Sequence, residues 1–403
     1  MFQGLFPTAE LNRRHVLSLI PQCGACKLHE SCKSPKMKVD GRGKSRVLIV
    51  GESPGRQEDE QGRPFIGSSG EYLKNALRKF GMDLREDCWI TNALICRPKE
   101  GKVSSPHWVN YCRPNLVRTV QELNPELIIP LGTLAVSSLI GWVWKEDPGP
   151  ISRWVGWQIP CQSLNAWIAP NYHPAHVLRA DEKKGERHLL DKFFYRYIQQ
   201  ALELPRRPWR RVPDYDRVVR RVHSPQEAAD VIPSFEGSRP VAFDFETDRL
   251  KPDHPDSRIL CCALSDGDRA VAFPWAGPVV PAMKQFLTSD TPKVGANVKF
   301  EDRWCRRVLG VGVRNWAWDT VVNAHLIDHR KQITSVKFQS FVLLGAGSYD
   351  DQLKAHMNSE NNNSPNSLRG VSLDKLLLYC GKDALFESLI AEAQAERLGI
   401  PLC

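Results

Sequence analysis

The sequence predicts an α/β protein built as two units, and three observations carry that prediction. An apolar strand, RVLIVG at residues 46–51, runs straight into a glycine-rich turn. A second strand, PVAFDFET at 240–247, opens a fresh alternation of strand and helix patterns. Between them, LPRRPWRRVPDYDRVVRRV at 204–222 combines three prolines with seven arginines, a composition suited to an extended connector. The expected organisation is a first unit at 1–203, an arginine-rich linker at 204–237 and a second unit at 238–403. With 403 residues there is chain enough for two or three domains with real cores.

Charge and cysteine usage narrow the function classes. A formal charge of +9 favours a polyanionic partner, but an excess of this size decides little by itself. No run has the length of a membrane helix, and residues 1–20 carry an acid, arginines and no long apolar segment. Neither a membrane span nor a signal peptide is expected. The simplest expectation is a cytoplasmic protein whose 12 cysteines are reduced, so that clustered ones are metal-ligand candidates rather than disulfides.

In chain order the first chemistry is Cys23 and Cys26, a C-x2-C knuckle, joined later by Cys96 and Cys112 in CRPKEGKVSSPHWVNYCRP. Four thiolates can close a tetrahedral site for zinc or for an iron–sulfur cluster, and spacing does not choose between them. Cys32 is a spare candidate, while the unclustered Cys88, Cys161, Cys261, Cys262, Cys305, Cys380 and Cys403 read as small buried apolar residues. The turn after the first strand, GESPGRQED, matches neither a dinucleotide fingerprint nor a phosphate-binding loop. It lacks a lysine and puts Glu52, Glu58 and Asp59 where an anion would be repelled. A site for an uncharged ring or a water fits better.

Five stretches in this order, CGACKLHESC, VGESPGRQEDEQGRPFIGSSGEYL, ITNALICRP, NPELIIPLGTLA and NYHPAHVLR, resemble the iron–sulfur (family 4) uracil-DNA glycosylases over roughly residues 20–200. The resemblance implies a three-layer α/β/α domain around a parallel sheet, with a 4Fe-4S cluster on Cys23, Cys26, Cys96 and Cys112. The residues make chemical sense on their own. Base excision takes the target out of the stack, so a pocket must offer an aromatic face and hydrogen bonds to the Watson–Crick edge. Phe65 can stack, and Asn92 at the end of CWITN can pair with N3–H and O4 of uracil, where cytosine presents the opposite pattern. Breaking the glycosidic bond leaves negative charge on the ring, and His173 of NYHP is the candidate donor at O2. Glu52 and the loop behind it would position the attacking water or the sugar. Ser53 stands where the best-known uracil glycosylases have a carboxylate, which the iron–sulfur family also lacks. Ala175 stands where relatives often carry Ser, and Val177 and Leu178 are candidates for an apolar wedge into the gap left by the flipped base. Singly, a Phe is usually core, a strand-end Asn a turn cap and a His structural; as an ordered set at motif positions they favour the functional reading.

In the second unit AFDFETDRL places Asp244 and Glu246 on one face of a strand, since side chains two apart point the same way. Two carboxylates projecting together are costly unless a cation lies between them. With VGANVKFED, WDTVVNAHLID and YCGKDALFE following in order, residues 238–400 resemble the DEDD-type 3′–5′ exonucleases, in particular the proofreading domain of DNA polymerase I. The resemblance implies a mixed-sheet, ribonuclease-H-like domain using two Mg²⁺ or Mn²⁺ ions to activate a water and stabilise the leaving 3′ oxygen. By motif position the ligands would be Asp244, Glu246, Glu301 and Asp383, with Tyr379 orienting the water. Relatives usually carry Asp where Glu301 stands, and Asp302 lies one register away. Asn297, Lys299 and Asp319 would shape the substrate end, and Leu250 would wedge between the last two bases. For Asp302 and Asp319 a surface or helix-capping role is an equal alternative. The polar stretch HMNSENNNSPNSLRG at 356–370 reads as a mobile loop. No polymerase follows: the chain ends 20 residues beyond Asp383, as such a domain is expected to.

The expected protein is a bifunctional DNA-processing enzyme that excises uracil and degrades DNA from 3′ ends, with single- or double-stranded DNA as partner and no membrane. The arginine-rich connector would touch phosphates without reading sequence. The alternatives are a first unit acting on a modified base, and a catalytically silent DNA-binding unit that recruits the exonuclease.

Overall fold

The computed structural model describes residues 20–99, 107–144, 147–181, 184–204, 214–349, 353–361 and 363–402. The chain divides into two compact units, Met1–Arg210 and Arg211–Cys403. Among the described residues no helix is long and apolar enough to cross a membrane.

The first unit is a sheet of five strands in the order β2-β1-β3-β5-β4: β1 (Val47–Gly51), β2 (Cys88–Asn92), β3 (Leu127–Pro130), β4 (Ile159–Cys161) and β5 (Ala166–Ile168). All neighbours run parallel except β4, which is antiparallel to β5. Every residue of β1 is buried, as a central parallel strand covered on both faces must be. Alternation decides which face each residue serves. Val47 and Ile49 pack with Leu73, Leu77, Val177, Phe194 and Ile198, from helices Ser68–Arg78, Pro174–Arg179 and Glu186–Leu202. The other face of β1 and β3 meets the helix Thr133–Val143, which in turn packs on His107–Leu123. The result is three layers, α/β/α. Its candidate site residues gather where β1 and β2 end together, Gly51 opposite Asn92.

The second unit is a mixed sheet in the order β11-β10-β7-β8-β9-β6: β6 (Val219–Arg221), β7 (Val241–Thr247), β8 (Ile259–Ser265), β9 (Ala270–Pro274), β10 (Lys293–Gly295) and β11 (Trp316–Asp319). The centre, β7-β8-β9, is antiparallel and the flanking pairs are parallel, the ribonuclease-H-like arrangement. Val241, Phe243 and Phe245 pack with Met283, Phe286, Trp304 and Cys305 on one face. The intervening positions look the other way, toward the long helix Leu373–Leu398, which packs across β6 to β10. That helix lies so close to the edge that a Cβ on Gly381 would run into Val219.

Two expectations from composition are corrected here. The connector expected at 204–237 is, from residue 214 onward, part of the second unit: a short helix at Tyr215–Val218, the edge strand β6 paired with β9, and the helix Pro225–Val231. Its arginines mislead because an edge strand tolerates charge on its outer side: Val219 is buried while Arg220 and Arg221 reach Glu227 and Asp374. Residues 205–213, the richest part of that stretch, lie outside the described residues. The polar stretch at 356–370 is tied to the body of the unit near its end, at Asn366 and Arg369. Asn366 donates to the carbonyls of Thr247 (2.9 Å) and Asp248 (2.8 Å), and Arg369 pairs with the buried Asp248.

Candidate active sites

The first site begins with a missing side chain. A Cβ on Gly51 would lie 2.6 Å from the Phe65 ring and still nearer the amide oxygen of Asn92, so glycine at the strand end lets these two groups converge. Asn92 is buried at the end of β2. Phe65 has a left-handed backbone (φ 52°), which a bulky residue adopts only when held there. Arg85 does the holding, donating to the carbonyls of Pro64 (2.7 Å) and Phe65 (3.0 Å). The Phe65 ring stacks against His173, centroids 5.9 Å apart at 29°. His173 caps the helix Pro174–Arg179: its Nδ1 accepts the Ala175 N–H at 3.1 Å, which leaves the ring hydrogen on Nε2. Burial, reinforced by the positive charges of Arg179 and His176, pushes its pKa down to about 4. At neutral pH it is therefore an uncharged donor.

Glu52 follows Gly51 and turns toward the start of the Thr133–Val143 helix, where Oε1 accepts the Leu134 N–H at 3.1 Å. Burial raises its pKa against the pull of those backbone donors and of Arg179 and His176. Ser53 sits half-buried in the turn. The other acids of the turn are structural: Glu58 accepts the N–H groups of Ile66 and Gly67, and Asp59 those of Lys33 and Ser34. One expectation fails. Val177 has none of its surface exposed and belongs to the core beneath the sheet, so it cannot act as a wedge. Leu178 is half-buried on the same short helix.

Cys23, Cys26, Cys96 and Cys112 together line a narrow cavity of about 20 Å³, lined also by Leu28, Leu94 and neighbours. The Lys36 N–H points at Cys96 Sγ (3.2 Å) and the Asn115 amide at Cys112 Sγ (3.6 Å), donors that suit thiolates. Burial pushes Cys96 up to about 12 and raises Cys26 and Cys112 as well. Thiols so placed ionise only if a cation joins them, which fits a cluster or metal ion. Cys32 packs beside this group without lining the cavity. Cys88, Cys161, Cys261, Cys262, Cys305 and Cys380 are buried, and Cys403 lies outside the described residues.

In the second unit, oxygens of Asp244 and Glu246 and the Cys380 sulfur lie within 4.8 Å of one another, a spacing that could hold a metal ion. The Cys380 thiol is spoken for, donating to the Asp244 carbonyl at 3.5 Å. Glu301, at the start of the helix Lys299–Leu309, is buried and faces Asp244, while Asp383 and Tyr379 come from the long helix. Tyr349, unnoticed in the sequence, hydrogen-bonds Asp383 through its hydroxyl. Burial and mutual repulsion push Asp244 up to about 8 and raise Glu246 and Glu301. Asp244 Oδ2 and Glu301 Oε2 are enclosed without a hydrogen-bond partner. An acidic set left in this condition fits cations between its members.

The neighbouring acids are accounted for differently. Asp302 accepts from Arg306 (2.6 Å) and from the Val313 N–H (2.9 Å), so both of its oxygens have partners. Asp319 caps the helix Thr320–Ile327 and also accepts the N–H groups of Asn297 and Val298, both at 3.1 Å. Asn297 (φ 59°) and Lys299 are exposed where that helix-bearing loop turns, and Leu250 projects just past β7 with 56% of its surface exposed.

Comparison with known proteins follows the same division. Residues 39–196 match the uracil DNA glycosylase superfamily and residues 219–393 a 3′–5′ exonuclease family. A type-4 uracil-DNA glycosylase of Pyrobaculum aerophilum is 35% identical over 181 residues, 44% of this chain and 89% of that protein. One from Archaeoglobus fulgidus is 33% identical over 169 residues, 41% of this chain and 83% of that protein. A DNA polymerase of Bacillus phage SP01 is 25% identical over 356 residues, 79% of this chain but 37% of that protein. Through its first unit, then, the chain belongs to the type-4 uracil-DNA glycosylase family, and its second unit is a 3′–5′ exonuclease domain.

Proposed function

We propose that this chain excises uracil from DNA, leaving an abasic site, and separately removes nucleotides from DNA 3′ ends with divalent metal. The observation that carries the first half is the meeting of Asn92, Phe65 and a neutral His173 at the paired ends of β1 and β2. The flipped base enters beside Phe65. Asn92 accepts from N3–H and donates to O4, the pattern cytosine cannot offer. As the N1–C1′ bond breaks, its electron pair moves onto the uracil ring, and His173 Nε2–H donates to O2 where charge grows. A neutral donor stabilises that charge without first taking up a proton. Water forms the new bond to C1′ and gives up a proton that ends on the departing uracil anion, and Glu52, anchored by the Leu134 N–H, orients the water or the sugar, with Ser53 lining the turn.

Cys23, Cys26, Cys96 and Cys112 would hold a 4Fe-4S cluster, which when bound supplies a cross-link among three separate segments of the first unit. In the second unit Asp244, Glu246, Glu301 and Asp383 would hold two Mg²⁺ or Mn²⁺ ions, which supply an activated water and charge for the leaving 3′ oxygen. Tyr379 orients the water, Asn297 and Lys299 meet the phosphates of the substrate end, and Leu250 separates the last two bases.

The test is base release from duplex and single-stranded oligonucleotides carrying uracil, cytosine or a hypermodified pyrimidine. The parent should release uracil. Asn92→Ala should lose most of that activity, and Asn92→Asp, with an acceptor-only edge, should shift preference away from uracil toward cytosine. Release of the modified base alone would replace uracil as the substrate, and release of nothing would leave the first unit a DNA-binding module.

A further inference from the structure

Among the described residues, the enclosed carboxylate oxygens that lack a hydrogen-bond partner belong to Asp244, Glu301 and Glu387. The first two are in the metal-site set already discussed. Glu387 is not. It lies on the long helix one turn beyond Asp383, as Asp383 lies one turn beyond Tyr379, so the three side chains share a helical face. Only 2% of its surface is exposed. The charged groups that act on it most strongly are Asp244, Glu301, Asp383 and Asp319, all acids, and Tyr349 also lies within its field.

A buried carboxylate with an unpaired oxygen, set among four other acids, is among the least favourable placements a side chain can have. The residues flanking it in ALFESLI are apolar except Ser388, whose hydroxyl donates to the Ser265 carbonyl at 2.9 Å, so the local packing gives no reason for an acid there. A cation is the partner that reverses the sign of all these interactions at once. Among these acids Asp244 and Glu301 act on Glu387 more strongly than Asp383 does, whereas Glu246 is acted on by Asp244 and Asp383.

We propose that Glu387 is a fifth carboxylate of the exonuclease metal centre, helping to hold the ion on the Asp244–Glu301 side. The inference rests on the reading of Asp244 and its partners as a divalent-metal site. Added ligand charge should tighten cation binding there.

The probe is Mn²⁺ alone, titrated into the full-length chain and followed by the magnetic resonance signal of free Mn²⁺, with melting in chelator as a second readout. The parent should bind two ions. Glu387→Gln keeps the size and removes the charge; it should weaken one of the two ions by roughly 10-fold or more while melting in chelator no lower than the parent, because an unbalanced buried charge is gone. Glu387→Asp should fall between the two. Two ions bound by Glu387→Gln with parental affinity would overturn the proposal, and so would a lower melting temperature in chelator for both variants with Mn²⁺ binding unchanged, since that marks a purely structural acid. Asp244→Ala separates the levels: if it too leaves Mn²⁺ binding intact, the metal-site reading itself falls, whereas loss in Asp244→Ala with none in Glu387→Gln removes only the role of Glu387.

Discussion

His173 is legible in the sequence as a candidate donor from the NYHP motif, but its state is not. The structure supplies that state through one local hydrogen bond and through burial: Nδ1 is occupied by Ala175 N–H, and the pKa lies near 4 rather than 6.5. Two consequences follow. His173→Ala should lower the rate of uracil release by roughly two to three powers of ten, with weaker effect on uracil binding, as for loss of an oxyanion-type donor. The rate should also show no break at the ordinary histidine pKa; a fall attributable to His173 belongs near pH 4. The sign for stability agrees. Between about 6.5 and 4 the unfolded chain takes up a proton on His173 that the folded chain refuses, so this residue withdraws stability as pH falls through that window. Single-turnover uracil release from pH 4.5 to 8 checks the rate, and a break near 6.5 that vanishes in His173→Ala would refute the assignment. Val177 illustrates the opposite limit. Its apolar character is equally suited to a wedge and to a core, and only the direction of a six-residue helix, Pro174–Arg179, decides for the core.

At the scale of elements, strands β1 and β7 were readable because central strands announce themselves as apolar runs, and the acids of β7 because alternation puts Asp244 and Glu246 on one face. The edge strand β6 was not, since its arginines satisfy the composition of a tether while its one buried valine satisfies the sheet. Glu387 was missed for a related reason: in a helix of 26 residues a lone glutamate gives no hint of facing inward until its neighbours are placed. The contact that fixes this helix is Gly381 against Val219, where no side chain fits. Gly381→Ala should therefore push the helix off β6, destabilising the second unit by roughly 1–3 kcal/mol through overpacking. Because Tyr379 and Asp383 flank that position on the same helix, trimming of DNA 3′ ends should fall as well. Urea unfolding together with both assays decides it: a variant as stable as its parent, or one that loses uracil release instead, would show that this contact does not position the metal-site helix.

For the whole molecule the central question is whether two independent chemistries share one chain. Each site is assembled within one unit, the first from residues between Gly51 and Arg179 and the second from residues between Asp244 and Glu387, and each unit has its own sheet and core. The chemistries also differ in what they require. As proposed, uracil excision uses Asn92, His173 and water, whereas 3′ trimming would depend on divalent ions among Asp244, Glu246, Glu301 and Asp383. Chelator should therefore separate them. With EDTA, end-labelled uracil DNA should gain alkali-labile breaks while its 3′ end stays intact, and added Mg²⁺ or Mn²⁺ should restore trimming. Replacing Asp244 and Glu246 together by Ala should reproduce the chelator result in the presence of metal, since both β7 carboxylates are gone. Trimming that persists in the double variant would mean that β7 does not carry the metal site. Loss of both activities at once would mean that the first unit leans on the second for its structure, an outcome for which two separate sheets and two separate cores give no physical reason.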